Sequence, residues 1–201
     1  YISSINNNAH RAVKRRQAEE KITVLDSLSL SCGTGLEAIG IANDISHGLS
    51  PAEIVSRHEE RLKKVSRSFV ISTMDFLYKG GRCSGLTFLL GNKFHIHPII
   101  RLEDGKRGVH KLVRGKDIGK GINSIVDEFR TELNKGNIDV AYPIRIPHVG
   151  GNDHVKKIIK ELESYVGTSI LFPVEASGII ACHCGDDTVG LSYRLKHDLV
   201  K

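Results

Sequence analysis

Apolar positions recur along the chain with two different periods, and their alternation predicts helices layered on strands. Lys21-Ile22-Thr23-Val24-Leu25 has the length and β-branched content of a short strand ending at Asp26-Ser27. After Gly33-Thr34-Gly35, residues Leu36, Ile39 and Ala42 fall on a helix that Gly48 stops. Ser50-Pro51-Ala52-Glu53 is a capping box with proline at the first helical position, so a second helix starts there and turns Ile54, Leu62 and Val65 inward. Phe69-Val70-Ile71 is expected as a buried strand, and Met74 to Leu77 as the start of a helical stretch broken at Gly80-Gly81.

The segment from Ile96 to Val113 reads as a hairpin turning at Asp104-Gly105, because Asp-Gly supplies the positive-φ residues of a tight turn. From Asp117 the helical period is clear, with Ile118, Ile122, Ile125, Val126, Phe129 and Leu133 on one face. Ile138 to Ala141 is expected as a strand. A further helix starts near Asn152 and buries Val155, Ile158, Ile159, Leu162 and Val166. Ser169 to Pro173, Gly178 to Ala181 and Val189 to Leu195 complete the expected strands. The predicted class is α/β (α+β), a mixed sheet layered with helices, without internal repeat or flexible linker.

Composition narrows the function classes. The apolar fraction of 40% and charged fraction of 26% exclude wholesale disorder, and 201 residues suffice for a large core, whether one domain or one plus part of another. Tryptophan is absent, so aliphatic residues must form most of that core. No apolar run approaches the length of a membrane span. The net charge of +6 is concentrated at His10 to Arg16 and at Arg101 to Lys120. Such patches attract anionic partners or simply solvate the surface, and no nucleic-acid module accompanies them, so no nucleic-acid role is expected. Cys32, Cys83, Cys182 and Cys184 lack the spacing of a secreted disulfide framework; reduced thiols of a cytoplasmic protein are expected. The chain opens on Tyr1 rather than methionine and is read as a fragment, a processed product or an incomplete chain.

Candidate chemistry is sparse. Ser177-Gly178-Ile179-Ile180-Ala181-Cys182-His183-Cys184-Gly185 carries an apolar run to a histidine at an expected strand end, with a glycine close behind. Imidazole there serves either as a turn histidine satisfied by a carbonyl or as a ligand for a carboxylate or phosphate. On a strand, Cys182 and Cys184 would share a side with His183 opposite, but no Cys-x-x-Cys pair completes a zinc set, and no metal is expected. His95 and His97 would likewise share a strand face, without a third ligand at a recognised spacing. Arg82, just after Gly80-Gly81, and Arg114, before a helix start, have the side chain best suited to bidentate carboxylate or phosphate recognition. No nucleophile elbow, P-loop or dinucleotide fingerprint is present, and no catalytic residues are assigned.

Taken in order, Val24-Leu25-Asp26-Ser27, Phe76-Leu77-Tyr78-Lys79-Gly80-Gly81-Arg82, Pro98-Ile99-Ile100 with Asp104-Gly105, Arg114-Gly115-Lys116, and Gly178 to Gly185 with His183 resemble the DegV family from about Lys21 to near the C-terminus. Tyr1-Ile2-Ser3-Ser4 is similar to the end of that family's first domain. The resemblance implies a two-domain α/β protein, here with residues 1–27 as a remnant of the N-terminal domain and 28–201 as an essentially complete C-terminal domain.

It further implies a bound long-chain fatty acid, its tail in an apolar tunnel and its carboxylate held by His183, Arg82, Arg114 and Ser4 near Gly185. Such a protein is a lipid-binding, non-catalytic subunit that presents the carboxylate to an ATP-dependent fatty acid kinase partner. Peripheral membrane contact for lipid exchange is implied as well, and no cofactor beyond the lipid. The chain departs from the family pattern at Asn6-Asn7-Asn8-Ala9 and at Asp186-Asp187, which adds two negative charges beside the expected carboxylate site unless they face solvent. Two alternatives stand beside this reading: a paralogue without a lipid site acting as an interaction protein, and an enzyme using Arg82, Arg114 and His183 on a small acidic or phosphorylated substrate.

Overall fold

The computed structural model describes residues 4–85, 94–103 and 106–196. Among them are seven α-helices and one six-stranded mixed sheet. The helices are α1 (Ile5–Arg15), α2 (Cys32–Ser46), α3 (Pro51–Leu62), α4 (Asp75–Lys79), α5 (Gly119–Asn134), α6 (Asn152–Val166) and α7 (Gly178–Cys184). The strands are β1 (Val65–Val70), β2 (Ile96–Glu103), β3 (Lys106–Arg114), β4 (Ile144–Val149), β5 (Leu171–Glu175) and β6 (Thr188–Arg194). They lie in the order β3-β2-β1-β6-β4-β5, all neighbours antiparallel except β4 and β5.

The main core forms where the apolar stripes of α5 and α6 meet one face of the sheet. Ile118, Ile122, Ile125, Val126 and Phe129 pack there on Val70, Ile144, Ile146, Val189 and Leu191, and Leu133, Ile159 and Val166 fill the margin. Phe129 meets the Tyr193 ring edge-on, with centroids 5.0 Å apart. The opposite face carries a smaller cluster of Phe69, Ile71, Leu77, Ile100 and Cys184, which links the sheet to α4 and α7.

Period-two alternation divides β6 between the two faces. Val189, Leu191 and Tyr193 enter the main core; Thr188, Gly190 and Ser192 face the other way and are small.

The Ser50–Glu53 capping box forms as the sequence predicts, with both reciprocal hydrogen bonds present. Strands β2 and β3 pair as the expected antiparallel hairpin; its Asp104-Gly105 turn lies outside the described residues. Three expected strands are not strands. Lys21–Leu25 is a turn running into irregular chain, because the Ala18 carbonyl accepts from the N–H of both Lys21 (3.0 Å) and Ile22 (2.9 Å).

Of Ile138 to Ala141, Ile138 makes one bridge to Leu195, and the strand instead runs from Ile144. That strand, β4, contains Pro147 and pairs with β6 through Arg145, His148 and Val149, on either side of the residue that lacks an N–H. Gly178–Ala181 belongs to helix α7, so His183 sits in a last helical turn rather than at a strand end.

Helix α3 also differs from expectation. Its fully buried residues are His58 and Arg61, while Ile54 and Leu62 are half-buried. They face Glu37 and Asp44 of α2: His58 Nδ1 lies 3.1 Å from Glu37 Oε2, and Arg61 pairs with Asp44. Burial pushes the Asp44 carboxyl up, but hydrogen bonds and charge from Arg61 and Arg57 outweigh it and hold it below the ordinary value.

Candidate functional site: a two-part cleft

The face of the sheet that carries the small side of β6 borders a cavity in two connected parts. The inner part, a narrow slot of about 30 Å³, lies between β1, β4, β6 and the start of α2, and α7 closes it. The outer part, about 520 Å³, is walled by α1, the irregular segment Val24–Ser31 and α7. Leu30, Ser31, Phe69, Leu102, Ile180 and Cys184 line both parts, so the two are continuous. The inner end is almost wholly apolar at its surface. Cys32 stands there, and burial raises its thiol, which keeps it neutral.

Polar groups gather at the outer part. His183 comes from the last turn of α7 and packs directly on Gly80, the residue that ends α4. Its Nδ1 is buried and has no hydrogen-bond partner among the described residues. Arg82 follows Gly80-Gly81 into the same lining, with Nη1 donating to the Gly80 carbonyl at 2.5 Å. Ser177, at the start of α7, and Asn6 and Asn7 of α1 add hydrogen-bonding groups.

The expected site residues are thus brought together in part. His183 and Arg82 share the outer lining. Ser4 is exposed and immediately precedes Ile5, which lines it, and the Ser4 hydroxyl makes no capping bond to α1. Gly185 ends α7 at φ 78° and lies against the ring of Phe76. Arg114 stands apart from this lining, at the end of β3, with its guanidinium carbon 6.0 Å from the centroid of Phe94. Asp186 and Asp187 are exposed and belong to neither lining, and Asp186 lies against Gly150, just after β4.

The helical form of α7 changes the Cys-His-Cys geometry. Successive residues step around a helix, leaving Cys182 exposed and Cys184 buried rather than side by side. His95 lies outside β2, whereas His97 is buried with Nδ1 2.8 Å from the Ser72 carbonyl and Nε2 3.2 Å from that of Gly115. It fastens loops together. Sequence reasoning missed the buried Arg67 of β1 and the Glu37–His58–Arg61–Asp44 cluster. The signal was there, as an arginine inside the strand run Val65-Ser66-Arg67-Ser68-Phe69 and a glutamate inside the apolar start of α2.

The model of the family described as uncharacterised protein, DegV family, matches residues 1–196. A DegV domain-containing protein of Clostridium acetobutylicum is 27% identical over 195 residues, covering 96% of this chain and 66% of that protein. The chain therefore spans just under two thirds of that relative's length. A structure described as fatty acid binding of a DegV family protein from Thermus thermophilus superimposes with TM-score 0.79 at 25% identity, over 96% of this chain and 68% of that one. The B3 protein of Streptococcus pneumoniae fatty acid kinase, loaded with linoleic acid, superimposes with TM-score 0.77 at 20% identity, over 97% and 68%. With its mixed sheet, its helix layers and a family match along nearly its whole length, the chain belongs to the DegV family.

Proposed function

We propose that this chain binds a long-chain fatty acid, with the carboxylate at the polar side of the outer part and the tail running along that part toward the apolar inner end, and presents it to an ATP-dependent kinase partner without catalysing a reaction itself. The observation that carries this reading is the continuity of an apolar inner end with an outer lining that holds His183 and Arg82. Burying an alkyl chain contributes about 0.8 kcal/mol per methylene, whereas a carboxylate withdrawn from water needs charge pairing or hydrogen bonds. An amphiphile satisfies both halves of the cavity at once.

In this proposal the imidazole of His183 and the guanidinium of Arg82 serve the carboxylate, with Ser4 beside the mouth and Gly185 letting α7 end close to Phe76. Arg114 takes a place on the face that meets the kinase rather than in the lining. Two relatives support the ligand class: the Thermus thermophilus protein is described as fatty acid binding, and the Streptococcus pneumoniae protein carries linoleic acid. The exposed side chains of Ile5 and Ile179 at the mouth offer an apolar edge for lipid transfer at a membrane surface.

The reading of a paralogue without a lipid site draws on the first domain expected to be missing and on Asp186-Asp187; both aspartates are exposed and neither lines the cavity, which supports the lipid reading over it. The test is denaturing extraction of the purified protein followed by lipid mass spectrometry, with a His183→Ala variant alongside. Stoichiometric fatty acid in the wild type and less in the variant is expected. A wild type that is empty and refuses added oleate and palmitate overturns the proposal.

A further inference from the structure

The wall formed by Asp26 to Ser31 borders both parts of the cavity, yet it belongs to no helix or strand. Its backbone takes positive φ at two residues that are not glycine, Leu28 (45°) and Ser31 (47°). Such conformations persist where the surroundings over-determine them. Asp26 supplies one restraint, its carboxylate accepting from the Leu28 N–H at 3.0 Å.

The others come from outside the segment. His58 of α3, 3% exposed, places Nε2 3.0 Å from the Asp26 carbonyl. Arg67 of β1, also 3% exposed, reaches the carbonyls of Ser27 and Leu28 at 3.5 Å each, and that of Leu62 at 3.4 Å. Three successive carbonyls of the wall are therefore held by two buried side chains.

The grip is itself fixed from behind. A carbonyl only accepts, so Nε2 of His58 must carry hydrogen. The Glu37 carboxylate faces the other ring nitrogen at 3.1 Å and sets the ring's orientation, while Arg61, 3.5 Å from the same carboxylate oxygen, balances its charge. At Arg67 the first turn of α2 presses close. A Cβ on Gly33 would stand 2.6 Å from Arg67 Cδ, so only glycine lets the helix lie on that stem.

We propose that His58 and Arg67, the latter also part of the inner lining, are positioning residues for the ligand cavity, shaping its wall through the Asp26, Ser27 and Leu28 carbonyls. The identity of the ligand rests on the fatty-acid reading above; the grip on the wall does not.

Two measurements on the same variants test this: titration with cis-parinaric acid, and amide hydrogen exchange followed by mass spectrometry. Arg67→Met and His58→Ala each weaken cis-parinaric acid binding about tenfold, the scale set by losing the hydrogen bonds that hold the wall. Both speed exchange in residues 24–31 while peptides from α5 and β6 keep wild-type rates. Arg67→Lys, which retains a donor, recovers part of both effects. The double variant Glu37→Gln with His58→Gln also recovers, since the amide at position 37 can donate to the one at position 58, and that one to the Asp26 carbonyl. This pair serves if a single variant does not fold. Exchange that rises equally everywhere, or faster exchange in 24–31 with unchanged affinity, overturns the proposal. A wild type that binds no cis-parinaric acid refutes the fatty-acid reading instead. Exchange then decides alone: selective acceleration in 24–31 upholds the grip and its absence overturns it.

Discussion

A Cβ on Gly80 would stand 2.2 Å from Nδ1 of His183, so the ends of α4 and α7 meet where no side chain fits. Gly80 has an ordinary backbone, φ −79°, and alanine is compatible with its conformation but not with its neighbour. Gly80→Ala is therefore expected to keep the fold, to lose about 1–3 kcal/mol through overpacking, and to push the imidazole out of place. Thermal unfolding and oleate titration measure the two effects separately. Unchanged oleate affinity in a folded variant would count against a head-group role for His183.

The pairing of Asp44 with Arg61 predicts an acid response. The Asp44 carboxyl is held below its ordinary value of 3.8, so its contribution to stability is complete above that pH and is lost as pH falls through the lower folded value. Asp44→Asn should cost about 1–3 kcal/mol at neutral pH, because the buried Arg61 guanidinium loses its nearer counter-charge and keeps only Glu37, at 3.5 Å. Its stability should also fall less steeply than that of the wild type below pH 3.8. Urea unfolding across pH reads both.

At the other end of the scale, burial raises the Tyr193 hydroxyl from 10.0 to about 12, opposed by its hydrogen bond to Ser66. The unfolded chain gives up that proton first, so folding loses stability between pH 10 and 12. The loss is about 2–3 kcal/mol, because each tenfold change in proton affinity is worth about 1.4 kcal/mol. Tyr193→Phe should flatten this limb of the curve at a cost of about 1 kcal/mol at neutral pH. An identical alkaline limb in both proteins would assign the loss elsewhere.

The basic stretch from Arg101 to Lys120 makes a prediction about the partner. Reversing Lys111, Lys116 and Lys120 to glutamate is expected to abolish salt-sensitive capture of an ATP-dependent kinase subunit while leaving oleate binding intact. Pull-down at low and high salt, with lipid content measured on the same samples, checks this. Capture equal to wild type would remove this face from the interface.

Long amphipathic helices and chemically explicit caps were legible in the sequence. Helices α5 and α6 declare themselves by period, and α3 by Ser50 and Glu53, because both signals are local. Short apolar runs were not legible. Gly178 to Ala181 is equally consistent with a strand or a helix turn, and tertiary packing chose the helix. Pro147 concealed β4, since a proline in an interior strand is tolerated only where the ladder with one neighbour lapses.

His183 and Arg82 stood out as candidates by residue type and by family motif, and no spacing distinguished a ligand from a surface charge. Asp26 to Ser31 as a wall, and the two side chains that hold it, depend on contacts spanning 32 residues for His58 and 40 for Arg67. Nothing in a linear pattern reports such contacts.

Strand β6 carries a consequence of its own. One set of its side chains, Val189, Leu191 and Tyr193, belongs to the main core; the alternate set, Thr188, Gly190 and Ser192, belongs to the cavity side. Capacity for a ligand and cohesion of the protein are therefore written on odd and even positions of the same seven residues. A lineage could trade Ser192 for valine or Thr188 for alanine and so change the size of molecule it accommodates. Not one atom of the opposite layer would need to be exchanged.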